Sequence, residues 1–130
     1  MANAKRGVKV LSLGWLGVRT TSSAAMSAFY RDVLGLEVLH RDASSSRFRL
    51  NDGTEAHVYT QNDSDHVFFG SAPVVGFAVE SFATAHAAIA DAGIEFLYPE
   101  PQRQGGRAWQ HFRAPDGNVY EIIGPDDLDA

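Results

Sequence analysis

The sequence predicts an α+β fold made of two tandem modules, each a strand, a helix and three further strands (βαβββ). Two internal matches and one shared pattern lead to it. Leu34-Gly35-Leu36-Glu37-Val38-Leu39 corresponds to Ala92-Gly93-Ile94-Glu95-Phe96-Leu97, and Arg47-Phe48-Arg49-Leu50-Asn51-Asp52-Gly53 to His111-Phe112-Arg113-Ala114-Pro115-Asp116-Gly117. Both matches keep their order, and in each half they follow a strand-like stretch and a helical one, so the chain reads as a duplication. In the second register His57-Val58 falls on Glu121-Ile122.

Val8–Thr20 alternates and is rich in Val and Leu, which predicts the first strand. Ser22 or Ser23 then caps a helix whose apolar positions are Met26, Phe29, Tyr30, Val33 and Leu34. That periodicity assigns Phe29 and Tyr30 to the core, and Gly35 ends the helix in a left-handed cap. Strands follow at Leu36–His40, Arg47–Leu50 and Thr54–Thr60, the last two joined by a tight turn at Asn51-Asp52-Gly53. The second half repeats the order. Pro73–Glu80 reads as a strand, Ser81 caps a helix to Ala92, Gly93 closes it, and strands follow at Ile94–Tyr98, Arg107–Arg113 and Asn118–Ile123. Gln61–Ala72 reads as the linker, and the Pro- and Gly-rich Pro99–Gly106 as an exposed loop, a candidate flap.

At 130 residues the chain fits one domain, 1–130, with repeat one over about 8–60, the linker over about 61–72 and repeat two over about 73–124. No apolar run approaches the ~20 residues that span a bilayer, and the start carries no signal-peptide core. The expectation is a cytoplasmic protein whose first six residues form a frayed tail. The absence of cysteine excludes disulfides, thiolate catalysis and Cys-ligated zinc. A formal charge of −5 argues against nucleic acid as a partner and favours a neutral or cationic small molecule.

Side chains of each first strand alternate between a helix-covered face and an open one. Leu16, Val18 and Thr20, with Val75, Phe77 and Val79, suit packing on a helix. The opposite sets, Trp15, Gly17 and Arg19 with Val74, Gly76 and Ala78, hold small and unusual residues, as a ligand-facing surface would. If the sheets curve toward each other into a cup, Gly17 and Gly76 open its floor and His57 and Glu121 project into it.

Trp15–Leu39, with Phe29-Tyr30-Arg31-Asp32-Val33-Leu34-Gly35-Leu36-Glu37, resembles the vicinal oxygen chelate superfamily of glyoxalases, extradiol dioxygenases, fosfomycin-modifying enzymes and bleomycin-resistance proteins. Ala114-Pro115-Asp116-Gly117-Asn118-Val119-Tyr120-Glu121 is similar to that family's Asp-Pro-Asp-Gly-Asn…Glu ending. The resemblance implies the tandem βαβββ fold and a homodimer. It also implies a divalent metal (Mn, Fe, Ni, Co or Zn) held from the start of each first strand and the middle of each last strand. Those positions are Trp15, His57, Val74 and Glu121 here. His57 and Glu121 keep possible donors, but an indole N–H only donates hydrogen bonds and Val carries no polar atom. The expectation is therefore no cofactor, the divalent metal being the alternative.

Without a metal, Glu121 is a candidate general base or an acceptor for a cationic ligand, and its structural alternative is a carboxylate paired with Arg19 or Arg113. His57 is a candidate acid–base partner of Glu121, or a satisfied interior histidine. Trp15 either stacks on a planar ligand or fills the vacated metal position, while Tyr59, Trp109 and His111 are candidate ligand walls. Among the other histidines, His40 and His66 read as solvated and His86 as a helix-face residue beside Phe82 and Ile89. Three functions remain open: a metal-independent binder of an aromatic or cationic compound, an enzyme (metal-dependent, or an acid–base isomerase using His57 and Glu121), or a scaffold with Trp15 packed on His57.

Overall fold

The computed structural model describes residues 8–70 and 72–129, so the expected frayed tail lies outside the described residues. The chain forms two compact units, residues 15–74, and residues 75–129 together with 8–14. Their strands and helices follow the order β1 (Val10–Arg19), α1 (Ser23–Ala28), β2 (Glu37–Arg41), β3 (Ser45–Arg49), β4 (Glu55–Tyr59), β5 (Val74–Val79), α2 (Phe82–Asp91), β6 (Gln102–Gln104), β7 (Arg107–Arg113) and β8 (Val119–Pro125). No helix among the described residues is long and apolar enough to cross a membrane.

In the first unit the strands lie in the order β2-β3-β4-β1. β1 runs parallel to β4 with Gly17 opposite His57, and β3 runs antiparallel to β4 with Arg47 opposite His57. Parallel pairing of β1 with β4 needs a crossover connection, which the helix and the β2–β3 hairpin supply. Val18, Tyr30, Phe48, Ala56 and Val58 are buried together on the helix-covered face, with Leu16 and Met26 packed against them. The predicted alternation of β1 is correct at Leu16 and Val18.

The helix departs from its prediction. Ser22 occupies the N-cap but makes no side-chain capping bond, and its N–H donates to Thr20 Oγ1 instead (3.0 Å). After Ala28 the chain widens into a π turn over Phe29–Val33, closed by Leu34 N–H donating to the Phe29 carbonyl (3.0 Å). The wider turn breaks the 3.6-residue register. Tyr30 stays in the core, but Phe29 is 42 % exposed and Val33 70 % exposed, which corrects the assignment of Phe29 to the core. Gly35 then takes φ of 70°, the left-handed geometry its position requires.

In the second unit the order is β5-β8-β7-β6, again with a parallel first–last pair and antiparallel neighbours. Gly76 lies opposite Glu121, and His111 lies opposite Glu121 across β7–β8. The positions of Gly17, His57 and Arg47 in one unit thus repeat as Gly76, Glu121 and His111 in the other. Val79, Phe82, Ala85, Ala108, Phe112 and Ile122 form the buried core. Ser81 caps α2 as predicted, its Oγ accepting from Thr84 N–H at 3.1 Å. The same hydroxyl donates to Asp127 Oδ2 (2.6 Å), while Ala83 N–H donates to Asp127 Oδ1 (2.8 Å).

Two predicted elements of this unit are corrected. Ile94–Tyr98 is not a strand, since only the isolated bridge Phe96–Phe112 joins it to β7. The fully buried Gln110 side chain takes the Tyr98 carbonyl (Nε2 to O, 2.6 Å), and prolines at 99 and 101 have no N–H for a ladder. Pairing with β7 resumes beyond them, inside the segment expected to be a loop. Gln102–Gln104 forms β6 there, turned back by Gly105 and Gly106 at φ of 61° and 79°.

Candidate functional site

Within the first unit, β4 presents Glu55, His57 and Tyr59 on one face by strand alternation, with β1 placing Trp15 alongside. His57 has both ring nitrogens engaged: Nε2 lies 2.9 Å from Glu55 Oε1 and Nδ1 lies 2.9 Å from the Tyr59 hydroxyl. Burial lowers the His57 pKa, outweighing the opposing effect of the Glu55 hydrogen bond, and Arg47 pushes it the same way. The ring is therefore neutral near pH 7, with Nε2–H donating to Glu55 and Nδ1 accepting from Tyr59.

Trp15 is 9 % exposed and meets His57 edge-on, centroids 5.3 Å apart at 79°. The indole folds back across Gly17: a Cβ placed there would sit 2.0 Å from Trp15 Cη2. The room that Gly17 was expected to leave for a ligand holds this ring. The Arg19 guanidinium donates to the Asp63 carbonyl (3.1 and 3.2 Å) and lies 3.9 Å from the Asp63 carboxylate. His66, expected to be solvated, stacks on Tyr59 with centroids 3.8 Å apart and 13° between the planes.

Within the second unit Glu121 is buried, 4 % exposed, beside the buried His111. Burial raises its pKa to about 8, so the carboxyl is mostly protonated at neutral pH. Oε2 lies 3.3 Å from His111 Nε2, and Oε1 has no hydrogen-bond partner among the described residues. Arg113 is spent on the Gly117 carbonyl (2.6 Å) rather than on this carboxyl. His111 Nδ1 lies 2.8 Å from the Tyr98 hydroxyl, which also accepts from His111 N–H at 3.2 Å. Carboxyl, imidazole and phenol thus lie side by side, hydrogen-bonded between imidazole and phenol and in ion-pair range between carboxyl and imidazole. Burial also pushes the Tyr98 pKa up to about 12. Trp109 shares the His111 face of β7 by alternation and is half-buried. Val74 is buried and offers nothing polar.

The four-position metal set does not fit a metal. Trp15 and Val74 supply no lone pair, and on His57 one nitrogen is protonated while the other already accepts from Tyr59. Among the described residues, no group of three or more His, Asp or Glu side chains is arranged to hold an ion.

Sequence reasoning placed His57 and Glu121 at matching strand positions and named Trp15, Tyr59 and His111 as candidate ligand contacts, but missed the residues that engage them. Glu55 was findable, since Glu55-x-His57-x-Tyr59 puts three functional side chains on one strand face. Asp63, His66 and Phe69 carried no signal within a polar linker, and Tyr98 was hidden inside a segment taken for a strand.

The family model for the glyoxalase/bleomycin resistance protein/dioxygenase superfamily matches residues 12–122. No curated protein matches the sequence significantly. Among solved structures, methylmalonyl-CoA epimerase from Mycobacterium tuberculosis is similar at 15 % identity and a TM-score of 0.68, over 89 % of both chains. The Mn(II)-bound glyoxalase from Novosphingobium aromaticivorans gives 21 % identity and 0.69, over 90 % of this chain and 40 % of that one. A variant of homoprotocatechuate 2,3-dioxygenase from Brevibacterium fuscum gives 20 % and 0.69, over 90 % and 33 %. At these identities the likeness shows the tandem βαβββ fold alone. With 111 of 130 residues matched by the model, the chain belongs to the glyoxalase/bleomycin resistance protein/dioxygenase superfamily.

Proposed function

We propose that this chain binds an aromatic or cationic small molecule without a metal, and that Glu121 is the group that holds it. The supporting observation is the buried Glu121 carboxyl, whose Oε1 has no partner among the described residues. Leaving such an oxygen unsatisfied costs roughly 1–3 kcal/mol, which a ligand donor recovers on binding. A cationic ligand must also ionise the carboxyl. With a pKa of about 8, that costs about 1.4 kcal/mol at pH 7 and releases a proton. The reading includes a cytoplasmic location and a homodimer, the latter checked by sedimentation velocity.

The experiment is a fluorescence titration of chelator-treated protein with a panel of planar aromatic and quaternary-ammonium compounds, following tryptophan emission. Saturable quenching that weakens at least about tenfold in Glu121→Gln supports the reading. Absence of quenching across the panel, or quenching that appears only on adding Mn or Zn, overturns it.

A second reading, metal-free isomerisation next to a carbonyl, is favoured by the Glu121–His111–Tyr98 chain. In it ionised Glu121 removes a proton from the carbon beside the carbonyl and returns it to the neighbouring atom. His111 and Tyr98 exchange the proton with solvent, since Tyr98 also lines an open groove of about 580 Å³. It takes His111 in place of His57 as the partner of Glu121. Deuterium wash-in from D2O into a panel of hydroxyketones tests it. Exchange must rise with pH toward 8 and vanish in Glu121→Gln while binding persists, and exchange unchanged in that variant overturns it.

A further inference from the structure

The segment expected to be a plain linker packs on the same face as His57. Asp63 is 7 % exposed, and its carboxylate accepts from His66 N–H (2.9 Å) and lies 3.0 Å from His66 Nδ1. Its own carbonyl is gripped by Arg19, and its N–H donates to Thr60 (3.1 Å), so this one residue ties the segment to the ends of β1 and β4. Held in that way, His66 stacks on Tyr59. Phe69, 4 % exposed in a single 3-10 turn, meets Trp15 at 5.9 Å and Tyr59 at 5.8 Å. Gly70, at φ of 68°, ends the segment with a residue free to take other backbone angles.

We propose that residues 61–70 form a strap over this face of the first half, latched by Asp63. A small molecule reaches Trp15, His57 and Tyr59 only when the latch releases. An aliphatic residue at 63 would fix the strap by burial alone. Here the Asp63 carboxylate holds His66 while Arg19 holds the Asp63 carbonyl, so the strap is fixed by directional polar contacts that a single substitution can release, with Phe69 and the ring stacking as the apolar part of the closure. The strap thereby turns an aromatic plug into a gated surface, a role independent of Glu121 in the second half.

The test uses the full chain carrying Trp109→Phe, so that emission reports Trp15 alone, and compares it with Asp63→Ala and Arg19→Gln made in the same background. Hydrogen exchange read by mass spectrometry should speed up at least about tenfold over residues 64–70 in both variants, with β3 and β4 retaining their protection. Acrylamide quenching of Trp15 should rise about twofold or more. Wild-type exchange and quenching in a folded variant overturn the proposal. So does loss of protection spread evenly over β3, β4 and the strap, which would make Asp63 an ordinary structural residue. Should Asp63→Ala fail to fold, Arg19→Gln keeps the buried carboxylate and carries the same expectation.

Discussion

Trp15 lies across Gly17, so close that a Cβ on residue 17 would meet indole carbons at 2.0, 2.6 and 2.8 Å. The glycine accommodates the protein's own ring. Gly17→Ala forces the indole away from His57. The expected result is a loss of about 1–3 kcal/mol in chemical denaturation and a red-shifted Trp15 emission, the overpacking cost of a core site. Unchanged stability and emission would mean that the indole does not rest on residue 17 in solution.

Glu121 predicts a pH dependence opposite to that of most paired carboxylates. Its pKa rises from 4.5 to about 8 on folding, so the folded state binds the extra proton between those values. Stability contributed by the neutral carboxyl is complete below about pH 4.5 and is lost as pH rises through about 8, on the order of 5 kcal/mol in all. Glu121→Gln, neutral at every pH, removes that slope. Its Tm should exceed that of the parent at pH 9 and approach it at pH 5. Equal pH profiles for the two proteins would contradict the burial of a protonated acid.

The duplication was legible because its evidence is long and ordered. Matching Arg47–Gly53 to His111–Gly117 puts His57 and Glu121 in equivalent positions, and both indeed stand opposite a first-strand glycine. Strand parity also gave the cores, since Val18 and Val79 are inward as expected. What stayed hidden depends on contacts distant in sequence. The π turn that exposes Phe29 leaves no mark in an apolar pattern of helical spacing. Gln110 ends a strand by taking the Tyr98 carbonyl from 12 residues away. Two partners of His57, Glu55 and Tyr59, come from its own strand, and a side chain's residue type does not disclose which neighbour satisfies it.

The exposure of the first helix predicts an asymmetry between two apolar truncations. Phe82 is 0 % exposed at the centre of the second core, so Phe82→Ala should cost about 3–5 kcal/mol. Val33, predicted by periodicity to be inward but 70 % exposed, should cost within about 0.5 kcal/mol as Val33→Ala. Urea denaturation of both variants decides it. A large loss at Val33 would show that its face is covered in solution, as it would be in a homodimer interface.

The N-terminus of α2 has a second cap brought from the far end of the chain. Asp127 accepts from the Ser81 hydroxyl and from Ala83 N–H, and these bonds hold its carboxyl below the usual 3.8. A negative group at that end also complements the helix dipole. Because the folded-state pKa is depressed, the stabilisation is fully present above pH 3.8 and disappears as pH falls through the lower value. Asp127→Ala should therefore lower Tm at pH 7, with the difference from the parent narrowing steadily below about pH 4. Ser81→Ala, which removes the local cap and one Asp127 contact together, should cost about 1 kcal/mol at pH 7. The two changes act on one helix end, so the double variant should lose less than the sum of the singles. A strictly additive double variant would mean that Asp127 and Ser81 support α2 independently, and that the 2.6 Å bond between them contributes nothing.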